Sequence, residues 1–305
     1  MIHLPSVVPY QDESGLPFDK KYALLGYNYD KTSSIALDMK TVKVNRDQTL
    51  YAIFTTADVH TLPMDPAYFI FTINAENQAT LSFNPIYTFK GKITLPSYYE
   101  NPNTGTTCPV VGIDGSDYNV CMNGISHNGG HPDRPNEITH IFFDTSNGPV
   151  QIQSFGRLAF YGCNQYLKYV EMPETLTQAY YGAFRSCYVS YENVNIQSLG
   201  RAVFQDNMNT TITEMTVGPD VEMIEDTCYS MPSSSVTTLN IGTPNHASKL
   251  STNPNIMNGQ IFFSLPNLTT VNIYTDNRNA AIWSYLGFTD FGSQNAVTIN
   301  IEEVH

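Results

Sequence analysis

At 305 residues the chain is long enough for one long domain or two of ordinary size, so internal repetition has to decide between them. A formal net charge of -13 arises from 15 Lys and Arg against 28 Asp and Glu, with only 14% of residues charged. Cations are too few and too scattered to neutralise phosphates, so neither nucleic acid nor an anionic membrane surface is expected as a partner.

No apolar run approaches the roughly 20 residues of a bilayer span, and Met1-Ile2-His3-Leu4-Pro5 has no basic region ahead of an apolar stretch. The expectation is a soluble chain without a secretory address. Cys108, Cys121, Cys163, Cys187 and Cys228 are odd in number and widely spaced, which fits neither a zinc ribbon nor a disulfide framework.

Residues 1–62 are expected to form a small β-rich, β-grasp-like module. Leu25-Gly26-Tyr27-Asn28-Tyr29-Asp30 reads as a glycine-aromatic turn. It is followed by Thr41 to Phe54, where Val42 and Val44 alternate as in a half-buried strand. With Asp47, Thr49-Leu50-Tyr51-Ala52 behind them, these segments resemble the second half of an internalin B-repeat (Listeria–Bacteroides repeat). The first half of that module is shortened here to Val7-Val8-Pro9, so the resemblance implies a place for a partner chain to add a strand and form an oligomer.

A second domain is expected over 66–305. Alternating runs at Tyr68 to Ile73, Ala79 to Phe83 and Tyr87 to Leu95 suit a β cap at 66–95 over the open end of a repeat array. Ile93-Thr94-Leu95-Pro96 and Val110-Val111-Gly112-Ile113 begin the repeat, and residues 119–137 interrupt it.

The repeat is clearest at Phe155 to Cys163 and Ala179 to Cys187, where Ala, Phe and Cys recur at an offset of 24 residues. Ile196-Gln197-Ser198-Leu199-Gly200-Arg201-Ala202-Val203-Phe204 then repeats Ile152 to Phe160 almost letter for letter, in a shorter turn. Weaker turns follow at Val221 to Tyr229 and Ile261 to Ile273. Each turn is expected to hold one short strand with alternate residues inward, then a bend and an aromatic wedge, and stacking buries what a single turn cannot. Phe184→Ala is accordingly expected to cost about 3–5 kcal/mol. A short helix at Ala280 to Gly287 with Trp283, and a strand at Val297 to Ile301, are expected to close the far end.

The phrase carried by Ala159-Phe160, Cys163, Leu167, Val170 and Met172-Pro173 resembles the BspA-type leucine-rich repeats of bacterial surface proteins. The resemblance implies a mainly β fold, an irregular leucine-rich-repeat solenoid, with a binding role on an extended sheet.

His127, His131, Asp133, Glu137 and His140 could converge on zinc, but Gly129, Gly130, Pro132 and Pro135 make the segment a loop without a helical face, and a solvated insertion is the better reading. Asp114-Gly115-Ser116-Asp117-Tyr118-Asn119 has the oxygen spacing of a calcium loop, lacks the closing glutamate, and reads as a solenoid corner. Cys163 and Cys187 read as stacked small apolar residues rather than a disulfide. Glu171 and Glu214 both face outward two turns apart, at roughly 10 Å by strand spacing, near the upper limit for an inverting glycosidase pair.

The residues alternating with the inward Val, Met and Ile form an outward ladder: His140 and Phe142, Tyr169 and Glu171, Asn193 and Asn195, Glu214 and Thr216, Thr238 and Asn240, Thr270 and Asn272. Amides and hydroxyls beside aromatic faces suit protein or sugar recognition. The expected function is non-enzymatic binding or adhesion without a cofactor, on a bacterial surface or a phage virion, toward assembly proteins or a host receptor or glycan. A scaffold contacting only other virion chains and a glycan-active hydrolase or lyase are the alternatives.

Overall fold

The computed structural model describes residues 16–17, 20–38, 49–84, 87, 89–115, 137–162, 166–250, 261–276 and 291–304. The expectations at Val7-Val8-Pro9, Val42 and Val44, His127, His131, Asp133, Cys163 and the helix at 280–287 lie outside them. Within them the regular structure is strand, apart from two 3-10 turns at Val59–Thr61 and Pro66–Tyr68.

In the N-terminal part β1 (Lys20–Asn28) pairs antiparallel with β2 (Tyr51–Asp58), with a bulge between Leu24 and Gly26. Next come β3 (Phe69–Ile73), β4 (Ala79–Phe83), β5 (Lys90–Leu95), β6 (Tyr98–Glu100), β7 (Thr107–Ile113) and β8 (Glu137–Phe143). Beyond them, short strands recur as β9 (Ser154–Phe155), β10 (Tyr169–Val170), β11 (Gln178–Ala179), β12 (Asn193–Val194), β13 (Ser198–Leu199), β14 (Glu214–Val217) and β15 (Met223–Ile224). The last are β16 (Thr238–Ile241), β17 (Thr270–Thr275) and β18 (Thr298–Glu303).

These strands stack as a solenoid with two parallel sides. One side runs β5-β8-β10 and then, as a separate sheet, β12-β14-β16-β17-β18. The other runs without a break from β4 through β7, β9, β11 and β13 to β15, with β3 added antiparallel at its edge. The sequence reading expected one strand per turn. The second side escaped it because Ser154-Phe155, Gln178-Ala179 and Ser198-Leu199 are too short to show a period of two.

Alternation places most of the core on the first side, although Met172, the inward partner expected after Val170, is exposed. Val170, Val194, Met215, Val217, Leu239, Ile241, Val271 and Ile273 are all buried. They meet the inward residues of the second side, Phe155, Ala179, Leu199 and Ile224, in one continuous cluster.

An aromatic column forms the third support. Phe160, Phe184, Phe204, Tyr229 and Phe262 stack with centroids 5.1, 5.5, 5.3 and 5.4 Å apart and ring planes 12 to 15° from parallel. Around each ring the backbone amides reach into the next turn: Leu158 N, Phe160 N and Gly162 N donate to the carbonyls of Tyr181, Ala183 and Arg185. Gly182, Phe184 and Ser186 donate in the same way to Arg201, Val203 and Gln205.

Aiming those amides in one direction requires a left-handed residue two before the ring, and Leu158, Gly182, Ala202 and Thr227 have φ of 58, 61, 60 and 54°. At Gly182 a Cβ would also lie 2.6 Å from Leu158 Cδ2, so that side chain would have to shift to admit one. The corner at Asp114-Gly115 is backbone packing too, since a Cβ on Gly115 would come 2.5 Å from Ala159 Cα.

Candidate binding surface

Two structural groups divide the outward ladder. The first surrounds β8 and β10, where Tyr169 pairs in register with His140. Phe142 packs 5.5 Å from the Tyr169 ring and 5.4 Å, edge-on, from the His60 ring. Phe142, expected on the presented face, is only 2% exposed. The cover comes from the N-terminal residues: Lys21 Nζ donates to Thr94 Oγ1 at 2.9 Å and to the Leu62 carbonyl, and Lys92 Nζ reaches the Pro17 and Lys20 carbonyls at 2.8 and 3.1 Å. The outward face of β5 and β8 is thus an internal contact.

Glu171 belongs to the same group. Its carboxylate accepts from the Phe143 amide at 2.8 Å and lies 4.0 Å from His60 Nδ1. His140 is half-buried, bonds the Thr139 hydroxyl at 2.9 Å, and stacks loosely on Phe142. Burial, followed by the positive charges of Lys92 and Lys168, lowers its pKa from 6.5 to about 4. His140 is therefore a neutral ring at neutral pH.

The second group spans β14 to β18, and here the side chains bind one another. Asn240 donates to Glu214 Oε1 at 2.7 Å, Asn272 to Asn240 at 2.9 Å, and Asn300 to Asn272 at 2.9 Å. Asn240 is consequently 9% exposed, and Thr216, Thr238 and Thr270 flank the row half-buried. Such an amide ladder satisfies its members internally and stabilises the stack. Glu214 and Glu171, weighed as an acid pair, stand in different sheets with different structural partners.

Between these groups the sheet is interrupted. No pairing joins β10 to β12 among the described residues, although the same turns remain joined through β11 with β13 and through Phe184 with Phe204. The cause is chain length. Gln178 follows Tyr169 by nine positions, whereas Ser198 follows Asn193 by five. The turn holding β12 lacks the arc that Met172, Pro173, Glu174 and Thr175 make in the turn before, so it cuts the corner and opens a cleft of about 490 Å³.

Val170, Leu176, Val189, Val194 and Ile196 floor the cleft, and Glu174, Ser190, Glu192, Asn193 and Asn195 rim it. Tyr169, Asn193 and Asn195 are the expected surface residues that it brings together. Asn195 also donates to Asp220 Oδ2 and accepts from the Asp220 amide, each at 2.9 Å. Glu174 and Glu192 were missed; their only sequence signal was the shortened turn beside them.

Among the described residues no three His, Cys, Asp or Glu side chains gather into a metal site. Glu137 is instead paired with Lys90 at 2.9 Å. Cys108, Cys187 and Cys228 are buried free thiols, and burial pushes that of Cys228 far above the ordinary thiol range. No helix among the described residues is long and apolar enough to cross a membrane.

Known structures similar to the chain include a leucine rich repeat protein of T. pallidum, at 14% identity and a TM-score of 0.47, covering 78% of this chain and 100% of that one. A leucine rich cell surface protein of Faecalibacterium prausnitzii is 16% identical with a TM-score of 0.39, covering 70% of each chain. A leucine-rich repeat protein of Bacteroides ovatus is 12% identical with a TM-score of 0.38, covering 80% of this chain and 68% of that one. No curated protein matches the chain. The repeat read from the residues and the stacked turns agree with the family match: residues 139–253 match, in six copies, the BspA type leucine rich repeat region.

Proposed function

We propose that this chain is a non-enzymatic binding protein that takes a protein or glycan partner on the interrupted sheet face of its solenoid. The observation that carries this reading is the cleft between β10 and β12, an apolar floor with an amide and carboxylate rim. Its volume of about 490 Å³ falls in the range of roughly 300–1,000 Å³ typical of ligand sites. The likeness of residues 139–253 to BspA type repeats favours a place on a bacterial surface.

The test is surface-plasmon binding of the intact chain to purified host-surface proteins and to a glycan array, with Asn193→Trp filling the cleft. Saturable binding that Asn193→Trp removes without lowering the melting temperature supports the reading. Release of reducing sugar from any arrayed glycan, abolished by Glu171→Gln or Glu214→Gln, overturns it in favour of an enzyme.

A further inference from the structure

We infer that the cleft between β10 and β12 receives an extended, lysine- or arginine-bearing peptide segment of a partner protein, which enters the sheet as an inserted strand. The inference rests on the binding role proposed above and narrows it to one kind of occupant.

Hydrogen-bond geometry leaves strand edges open on the cleft. The carbonyls of Glu192 and Val194 accept from Thr216 and Gly218 at 2.7 Å each, on the β14 side. In a parallel strand successive residues turn their amide groups to opposite sides. The peptide groups of Asn193 and Asn195 therefore face the cleft, and no backbone hydrogen bond crosses from them to β10. On the far wall, the Glu171 amide donates to the Ile141 carbonyl, so by the same alternation the peptide group of Val170 is turned away from β8, to the cleft. Two strand edges thus face one gap, which is the arrangement that strand addition uses.

Side-chain chemistry selects among extended chains. Val170, Val189, Val194 and Ile196 would meet alternate residues of an inserted strand from below, so those residues should be apolar. The residues between them would point to the rim, where Glu174 and Glu192 are exposed and have no ion-pair partner among the described residues. A contiguous groove adds Asp220 and Glu222 beside Glu174 and Asn195, and its one cation, Lys249, is held by Asp220 at 2.5 Å. Rim residues of the ligand should therefore be basic.

Two measurements on the intact chain test this. In native-state hydrogen exchange of the free protein, the amides of Asn193 and Asn195 should exchange at least 100-fold faster than those of Val194 and Thr216. Equal protection would mean that the edge is already satisfied, and would overturn the inference. Fluorescence anisotropy then compares a hexapeptide of alternating Val and Lys, the same peptide with Glu for Lys, and the Val-Lys peptide N-methylated at alternate amides. The Val-Lys peptide should bind at least ten-fold tighter than either control, and the paired charge reversal Glu174→Lys with Glu192→Lys should invert the preference. Indifference to peptide charge or to N-methylation overturns strand insertion. If a glycan or folded protein still binds and Asn193→Trp blocks it, the broader binding role stands while this narrower one fails.

Discussion

Tyr229 stacks on Phe204 at 5.3 Å, continuing a column otherwise made of phenylalanine, yet its hydroxyl ends in the core with no hydrogen-bond partner among the described residues. The ring is fully buried, so its packing is that of Phe while the oxygen carries an unrecovered desolvation cost. Tyr229→Phe keeps the stacking and removes the orphan. It should raise stability by about 1–2 kcal/mol, read as a higher urea midpoint at unchanged slope. A lower midpoint would show that the hydroxyl has a partner.

Two residues before Tyr229, Thr227 holds φ at 54°, the place that Gly182 fills in an earlier turn. A β-branched residue tolerates this region poorly, whereas asparagine visits it readily. Thr227→Asn should therefore stabilise by about 1 kcal/mol, seen as a rise in melting temperature. The same exchange at Thr216, inside an extended strand, should lower it.

How far the sequence reached follows from which interactions are periodic. Val170, Val194, Met215 and Leu239 were legible as core because alternation along a strand has only one inward set. Phe160 and Phe204 were legible as equivalent because the phrases ending in them nearly coincide. The burial of Phe142 beneath His60 was not, since a contact between distant segments leaves no local pattern. The shortened turn at Asn193 to Ser198 was visible as a missing stretch of letters, but its effect, the parting of β12 from β10, exists only once turns are stacked. Asn240 and Asn272 were expected on the outward side, open to a ligand; they bond to each other, and Asn240 to Glu214, along the sheet.

That amide row predicts a coupled energetic response. Asn240→Ala removes one bond to a carboxylate and one between amides, so about 2–3 kcal/mol of stability should be lost. With Glu214→Gln as the second change, the double-mutant cycle should return a coupling of roughly 1 kcal/mol. Additive losses would mean that the two side chains merely lie side by side.

Acid should weaken the fold through His140. The unfolded chain binds a proton on this ring near pH 6.5, while in the fold burial and the nearby Lys92 and Lys168 hold its pKa at about 4. Between these values the unfolded state carries the extra proton, so stability falls as the pH drops from 6.5 towards 4 and the loss is complete below 4. Phe142, Tyr169 and the Thr139 hydroxyl also lie against the ring. Allowing for partial exposure, the contribution is on the order of 1–2 kcal/mol. Asp220, whose pKa is lowered by Lys249 and Asn195, acts only below 3.8 and so leaves this window clear. Urea midpoints at pH 7 and pH 4.5 should therefore differ by more in the parent chain than in His140→Phe. An equal difference in both would assign the acid response to other groups.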